Sequence, residues 1–295
     1  MTQTRTAFIA IVGCPNVGKS SILNRLLGQK VAVVSPKPQT TRTKIMGVLT
    51  EDEVQLVFTD TPGFHRPRTK LGEKMIKAVS DSISGVDACL FVIEPSGELR
   101  DAEKDLLKKF KDEKMPVILA INKIDSVKQK ELLIERMAQF SALYDFEAIV
   151  PCSALKGDGF GDLKDELFKQ AQPSPHFFPD DTLTDQPERV LAAEIIREKL
   201  LNLLDDEVPH GVAVCIERMH EREDSNITDI DATIYCERES HKGIIIGKKG
   251  EMLKKVSTKA REDMERFFMC KINLHCWVKV KEGWRLSLIH ISEPT

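Results

Sequence analysis

The 295-residue sequence predicts two domains, an α/β domain with a mostly parallel sheet and helices on both faces, followed by a smaller α+β domain. Three observations support this division. Short apolar runs at 8–12 and 117–121 are typical of parallel strands covered on both faces, and 54–59 is predicted to be a further strand. Four prolines between residues 173 and 187 indicate a semi-rigid linker. After them, residues 230–236 alternate apolar and polar side chains, as a half-exposed strand does.

The first apolar run leads into a phosphate-binding loop, and a helical pattern follows over residues 21–27. The loop matches the pattern G-x-x-x-x-G-K-S/T, whose glycines let backbone N–H groups close around phosphate oxygens. Lys19 is expected to reach the β- and γ-phosphates and Ser20 to ligate Mg²⁺. The predicted phosphate-binding residues are Gly13, Cys14, Pro15, Asn16, Val17, Gly18, Lys19 and Ser20.

A second motif identifies the base. The run 117–121 ends in Asn122-Lys123-Ile124-Asp125, an N-K-x-D pattern at the end of a predicted strand. The Asp125 carboxylate can accept hydrogen bonds from the ring N1–H and the amino group of guanine, which adenine does not offer. Asn122 is expected to hold the loop and the purine edge, and the stem of Lys123 to lie over the ring. After the predicted strand 148–151, Ser153 and Ala154 bring a backbone N–H toward the guanine oxygen.

A third motif, Asp60-Thr61-Pro62-Gly63, follows the run 54–59. We expect Asp60 to hold Mg²⁺ through water and the N–H of Gly63 to sense the γ-phosphate. Upstream, Thr40 and Thr41 lie in a polar loop, and we favour Thr41 as a further metal ligand, although Thr40 is nearly as suitable. Contacts of this kind order two loops and release them on hydrolysis. The predicted catalytic residues are Lys19, Thr41, Asp60 and Gly63, and the predicted metal ligands are Ser20, Thr41 and Asp60.

Phe64 follows this motif, and we include it among the residues that contact GTP. Many GTPases have at this position a glutamine that orients the attacking water. Because a phenyl ring cannot form that hydrogen bond, we expect slow intrinsic hydrolysis that a partner stimulates.

The second half contains another glycine loop. Residues 247–250 read Gly-Lys-Lys-Gly and precede a predicted helix over 251–268. The predicted order of helix, two strands, two helices and a final strand over 271–280 is that of a type II KH domain, whose G-x-x-G loop clamps about four nucleotides. The predicted RNA-binding residues are Gly247, Lys248, Lys249, Gly250 and Lys254. Residues 240–281 hold eleven Lys or Arg against four acidic residues in a chain of net charge −3, which favours a nucleic-acid site here.

Together these stretches resemble the Era family of bacterial GTPases. The stretches that carry the resemblance are 13–20, 39–42, 60–63, 122–125, 152–154, 178–185, 193–199 and 277–281. The resemblance implies a factor for 30S ribosomal subunit assembly that binds near the 3′ end of 16S ribosomal RNA and whose RNA binding follows a GTP/GDP cycle. It also implies some association with the inner face of the membrane, and a K⁺ ion coordinated by Asn16.

The implied domains are a GTPase domain at 5–172, a linker at 173–189 and a KH domain at 190–284. Residues 285–295 depart from the family pattern, and we expect them to be a non-native tail. The N-terminal segment 1–6 is too short and too polar to be a signal peptide, and no apolar stretch is long enough to span a membrane. We therefore expect a cytoplasmic protein, and the scattered spacing of its seven cysteines favours reduced thiols that do not bind metal. We also expect a monomer, although the sequence does not determine the oligomeric state.

Two alternatives remain at this point. The protein could act in transfer-RNA modification or membrane signalling, with the second glycine loop contacting a protein partner. It could also be an RNA-binding module with an inactive nucleotide site, although the intact Lys19, Ser20, Asp60 and Asp125 argue against this reading.

Overall fold

The computed structural model describes residues 3–32, 34, 45–60, 83, 85–204, 211–223 and 225–281. Two compact units are present, one ending at Asp185 and the other beginning at Gln186. Thr40, Thr41, the stretch 61–64 and the tail 285–295 lie outside the described residues.

The first unit is built on a mostly parallel sheet. Its strands are β1 (Arg5–Gly13), β2 (Ile45–Glu51), β3 (Val54–Asp60), β4 (Ala88–Ile93), β5 (Val117–Ile121), β6 (Ala148–Pro151) and the short β7 (Gln172–Pro173). The order is β2-β3-β1-β4-β5-β6, in which β2 is antiparallel to β3, and β7 pairs antiparallel with β1. All residues of β3, β4 and β5 are buried, which explains the continuous apolar sequences of β4 and β5. The carboxyl ends of β1, β4 and β5 therefore lie side by side.

Four helices of the first unit are described: α1 (Lys19–Leu27), α2 (Asp101–Glu113), α3 (Lys130–Ser141) and α4 (Phe160–Lys169). The charge-rich sequence of α2 buries Leu106, Leu107 and Phe110 and exposes most of its charged side chains. Phe110 and Phe140 of α3 pack against Phe91 of β4 in a buried cluster. The helical period of these apolar positions is what allows so polar a sequence to cover the sheet.

The segment expected to be a linker is hydrogen-bonded to the first unit as far as Thr184. The fully buried side chain of Gln55 accepts hydrogen bonds from the N–H groups of Phe177 and Phe178 and donates to the carbonyl of Phe178. The N–H of Val48 donates to the carbonyl of Leu183. The β2–β3 hairpin thus supplies partners for the polar groups of this segment. The helix after this segment begins at Glu188, two residues before position 190, where the KH domain is expected to begin.

The second unit contains α5 (Glu188–Leu203), β8 (Val212–Glu221), β9 (Ile227–Cys236), α6 (Glu239–Ile246), α7 (Glu251–Phe268) and β10 (Lys271–Val280). Its sheet order is β10-β9-β8, with β9 parallel to β10 and antiparallel to β8. A core that includes Ile196, Ile234, Ile245 and Val256 joins helices and sheet. The predicted fold class is confirmed. In the part of the chain that the structure describes, we find no helix with the length and apolar character needed to cross a bilayer.

Candidate functional site

The phosphate loop connects β1 to α1 in a conformation that requires glycine. Gly18 has φ of +99°, and a Cβ atom there would lie 2.2 Å from Nδ2 of Asn122. Gly13 has φ of +149°, and its Cβ would lie 2.3 Å from the carbonyl oxygen of Val92 on β4. L-residues with a side chain avoid this region of φ. The two glycines thus let the loop pass close to the ends of β4 and β5.

Lys19 is the first residue of α1 and is only 6% exposed. Its Nζ donates to the carbonyl oxygens of Gly13 and Cys14, at 3.2 and 3.0 Å. Burial lowers the pKa of this ammonium group, and the negative charge of Asp60 partly opposes the shift. The loop therefore holds a weakly solvated cation against its own carbonyls, which a polyphosphate can compensate better than they do.

Ser20 and Asp60 are brought together although forty residues separate them. The Ser20 hydroxyl donates to Oδ2 of Asp60 at 2.6 Å, and Asp60, the last residue of β3, is fully buried. A hydroxyl and a carboxylate at one point provide the oxygen donors that Mg²⁺ prefers, so this pair fits the predicted metal site. The third predicted ligand, Thr41, lies outside the described residues, as do Gly63 and the remaining residues of that motif.

Asn122 begins the loop after β5 at 122–125, here called the base-recognition loop because it is predicted to bind guanine, and connects it to the phosphate loop. It is 1% exposed, and its Nδ2 donates to the carbonyl of Val17 at 2.9 Å. Its Oδ1 accepts from the N–H of Ala154 at 3.0 Å. In this structure the Asn122 amide therefore bonds both the phosphate loop and the loop after β6, and it takes up the N–H of Ala154, one of the backbone groups at 152–154 that could meet the guanine oxygen.

Asp125 lies in a short 3₁₀ turn (Ile124–Ser126) and is exposed, as base recognition requires. One of its oxygens accepts from the hydroxyl of buried Ser153 at 2.5 Å. That hydroxyl also accepts from the N–H of Lys156 at 3.0 Å. Ser153 thus orients the carboxylate of an exposed residue through one of its oxygens.

Lys123 reaches from the base-recognition loop to the phosphate loop. Its backbone is left-handed, with φ of +67°. Its Nζ donates to the carbonyl oxygen of Asn16 at 2.5 Å and pairs with Glu94 at 2.7 Å. Because both partners hold the ammonium end, the aliphatic stem is fixed across the gap between the two loops.

The sequence analysis did not identify three further residues of this region, Glu94, Arg100 and Asn24. Glu94 directly follows β4 and pairs with Arg100 as well as Lys123. Asn24 of α1 accepts from the N–H groups of Val31 and Ala32, at 2.9 and 2.8 Å, and so fixes the chain beyond the helix. An acid at the carboxyl end of an apolar strand was a usable signal for Glu94, because such ends meet at one edge of a parallel sheet.

A cleft of about 590 Å³ borders this edge. It lies between α1 and the loop that carries Ala154, and its walls include Ser21, Asn24, Arg25, Lys30 and Ala154. Contact with Ala154 puts the cleft on the side of the site predicted to take the base.

The second glycine loop connects α6 to α7. Gly247 and Gly250 have φ of +72° and +81°, and Lys249 between them has φ of +52°. A Cβ on Gly247 would lie 2.6 Å from that of Met252, whereas a Cβ on Gly250 would meet nothing within 4 Å. Lys248, Lys249 and Lys254 are exposed. The loop thus presents cations and backbone at the start of an 18-residue helix.

Comparisons with known proteins agree with both loops. Residues 8–123 match a family model described as 50S ribosome-binding GTPase, and residues 207–285 match a KH domain model. The chain is 48% identical over 281 residues to GTPase Era of Clostridioides difficile (strain 630), an alignment covering 95% of each protein. It is 50% identical over 283 residues to GTPase Era of Ruminiclostridium cellulolyticum, covering 96% of this chain and 94% of the relative. The chain belongs to the Era family of GTPases.

Solved Era structures share the whole architecture. A crystal structure of an Aquifex aeolicus Era variant bound to GDP·AlF4⁻ has a TM-score of 0.90 and 38% identity, over 96% of both chains. Another structure, of Era in complex with MgGDPNP and nucleotides 1506–1542 of 16S ribosomal RNA, also has a TM-score of 0.90 and 38% identity, over 96% of this chain and 95% of the other. The resemblance predicted from the sequence is confirmed, as is the prediction that this chain is a GTPase.

Proposed function

We propose that this Era-family GTPase binds 16S ribosomal RNA through its 247–250 loop and assists assembly of the 30S subunit. The observation that carries the proposal is the exposed pair Lys248 and Lys249, between two glycines of positive φ where a backbone phosphate can approach. It is supported by the Era structure of the same two-domain architecture that contains a 16S RNA segment. The GTPase family model carries a description that names the 50S subunit, but it covers residues 8–123 and not the RNA-binding loop.

We assign nucleotide binding to the edge of the first sheet. The 13–20 loop takes the phosphates, with Lys19 as the cation that faces them. Asp125, oriented by Ser153, recognises guanine, and Asn122 holds the two loops at a fixed distance. Thr61, Pro62, Gly63 and Phe64 stay as predicted contacts to the γ-phosphate.

Ser20 and Asp60, with Thr41, are the residues that would hold Mg²⁺. A bound Mg²⁺ neutralises part of the charge that develops on the phosphates during transfer. Its presence with nucleotide in an Era structure supports this assignment. The exposed Asn16, with φ of +65°, is the residue that we propose for K⁺ coordination in place of a water-orienting glutamine.

The nucleotide state can be transmitted to the segment 173–187, here called the connector, through the β2–β3 hairpin. The β2–β3 hairpin begins shortly after Thr41 and ends at Asp60, so it joins the two predicted nucleotide-sensing segments. The connector is bonded to this same hairpin through Gln55, Val48 and Thr184. A shift of the hairpin on hydrolysis would therefore act on the connector, which supports nucleotide control of RNA binding.

Crosslinking in cells tests this function. The intact protein is crosslinked to RNA, and the bound fragments are sequenced. We expect enrichment near the 3′ end of 16S ribosomal RNA and a reduced signal when Lys248 and Lys249 are both replaced by Asp. Enrichment of transfer RNA, or of no RNA, would contradict the proposal and favour the alternatives given above. We expect the protein to act in the cytoplasm, where this RNA is found, and association with the membrane stays a prediction.

A further inference from the structure

Glu94 lies where three parts of the nucleotide site meet. It is the first residue after β4, and β4 lies between β1, which leads to the phosphate loop, and β5, which leads to the base-recognition loop. The N–H of Asn122 donates to the carbonyl of Ile93, the residue before Glu94, at 2.9 Å. A side chain at this point can reach both ligand-binding loops without belonging to either.

Both oxygens of the Glu94 carboxylate are used. Oε1 accepts from Nζ of Lys123 and Oε2 from Nη2 of Arg100, each at 2.7 Å. Burial raises the pKa of this carboxyl, but the hydrogen bonds and charges of Lys123 and Arg100 outweigh burial and hold the pKa below its ordinary range. Glu94 is therefore ionised at neutral pH and forms a charge-assisted bridge between two cations.

The bridge continues into the phosphate loop through Lys123, which donates onward to the carbonyl oxygen of Asn16. Lys123 is 40% exposed and Glu94 27% exposed, so the pair is open enough to move when one member is removed. Without Glu94, the Asn16 carbonyl alone would hold an ammonium group at the end of a flexible four-carbon stem.

We infer that Glu94 is a positioning residue for guanine nucleotides, which acts by fixing Lys123 across the base site. The inference rests on the proposed nucleotide site, because the fixed stem is useful only where a purine ring lies against it. It predicts that Glu94 controls affinity for nucleotide and leaves the chemistry at the γ-phosphate unaffected. GDP and GTP should depend on Glu94 equally, since both carry the same base.

The test uses the full-length protein with GDP and GTP. Glu94→Gln keeps the shape and removes the charge, and we expect Kd for GDP to rise roughly fivefold. KM for GTP should rise with it, whereas kcat at saturating GTP stays unchanged. Lys123→Met keeps the stem and removes the ammonium group. If Glu94 acts through Lys123, the double variant should bind GDP no more weakly than Lys123→Met alone.

An ion pair elsewhere in the same unit provides the control. Glu51 pairs with Lys164 at 2.8 Å, and Glu51 is 41% exposed. Glu51→Gln should lower the thermal midpoint of the nucleotide-free protein by no more than Glu94→Gln does, without changing Kd for GDP. Additive losses in the double variant, or an unchanged Kd in Glu94→Gln, would overturn the inference while leaving the nucleotide site intact. If the parent protein bound no guanine nucleotide, the proposed site itself would be wrong.

Discussion

The chain contains two glycine loops with lysines, and they are constructed in opposite ways. In the first loop Lys19 is buried, donates to two carbonyls of its own loop, and lies beside buried Asp60. In the second loop Lys248 and Lys249 are exposed, and among the described residues neither forms an ion pair. The first site is closed and cross-linked by hydrogen bonds, whereas the second is open.

The difference corresponds to the size of the ligand that we propose for each loop. A nucleoside triphosphate can be surrounded, so preorganised contacts from several strands can all converge on it. A ribosomal RNA cannot be enclosed, and its backbone must be met by exposed cations whose counterions are released on binding. Among the described residues of the 247–250 loop, no side chain has the positioning role that Asn122 and Glu94 have in the first site. The backbone turns alone set the conformation of this loop.

The largest effect is expected from a methyl group in the closed loop. In Gly18→Ala the new Cβ would displace Asn122 and break its bond to Val17, and φ of +99° adds backbone strain of about 1–3 kcal/mol. We expect GTP affinity to fall at least about a hundredfold, measured by calorimetry.

Gly250→Ala is the matched variant in the open loop. Its methyl group would meet nothing within 4 Å, so we expect only about 1–2 kcal/mol of lost stability from the left-handed backbone. GTP affinity should be unchanged. A comparable loss of GTP affinity in Gly18→Ala and Gly250→Ala would contradict the assignment of nucleotide binding to the first loop.

Asp125→Asn should have the next largest effect, because it replaces a paired acceptor by an amide. GTP affinity is expected to fall about ten- to hundredfold and XTP affinity to rise, since xanthine presents an acceptor where guanine has an amino group. Competition binding with both nucleotides measures the change. Equal loss for GTP and XTP would indicate that the Asp125–Ser153 contact is needed for folding of the loop instead.

A smaller effect is expected from the monovalent ion. Exchanging Na⁺ for K⁺ should accelerate GTP hydrolysis several-fold if the Asn16 side chain coordinates K⁺, and Asn16→Ala should remove the difference. The substitution keeps the Asn16 carbonyl that Lys123 contacts, and the comparison of the two salts within each variant separates the ion effect from any change in nucleotide affinity. Equal rates in the two salts would leave a group supplied by a partner as the source of catalysis.

Much of this comparison was predictable from the sequence. The strand runs 117–121 and 271–280 and the helix 251–268 occur at the predicted bounds, because apolar continuity and helical period are local signals. Both glycine loops were found because their function depends on residues that adjoin in sequence. The juxtaposition of Ser20 and Asp60 followed from motif spacing and is present in the structure.

The contacts that hold these motifs in place were not predictable in the same way. Glu94 and Lys123 are 29 residues apart and meet because β4 lies beside β5. Gln55 binds Phe177 and Phe178 more than 120 residues later, which turns an apparent linker into a bonded part of the first unit. The strand end gives a signal that Glu94 lies at the edge of the site, but its partner depends on strand order, for which one sequence carries no local signal.

The central claim is that RNA binding belongs to the open loop and nucleotide binding to the closed one. A double variant, Lys248→Asp with Lys249→Asp, tests it by anisotropy with a 3′-terminal 16S RNA fragment across a salt series, alongside GTP binding. Lys108→Asp with Lys111→Asp, on the exposed face of α2, is the matched control of equal charge change.

The account predicts that RNA affinity falls at least about tenfold at physiological salt and that the salt slope shrinks by about 1–2. GTP affinity should be unchanged, and the α2 control should bind RNA almost as tightly as the parent. RNA binding by the double variant that equals that of the parent would contradict the account, because the two lysines would then be solvated side chains outside the interface.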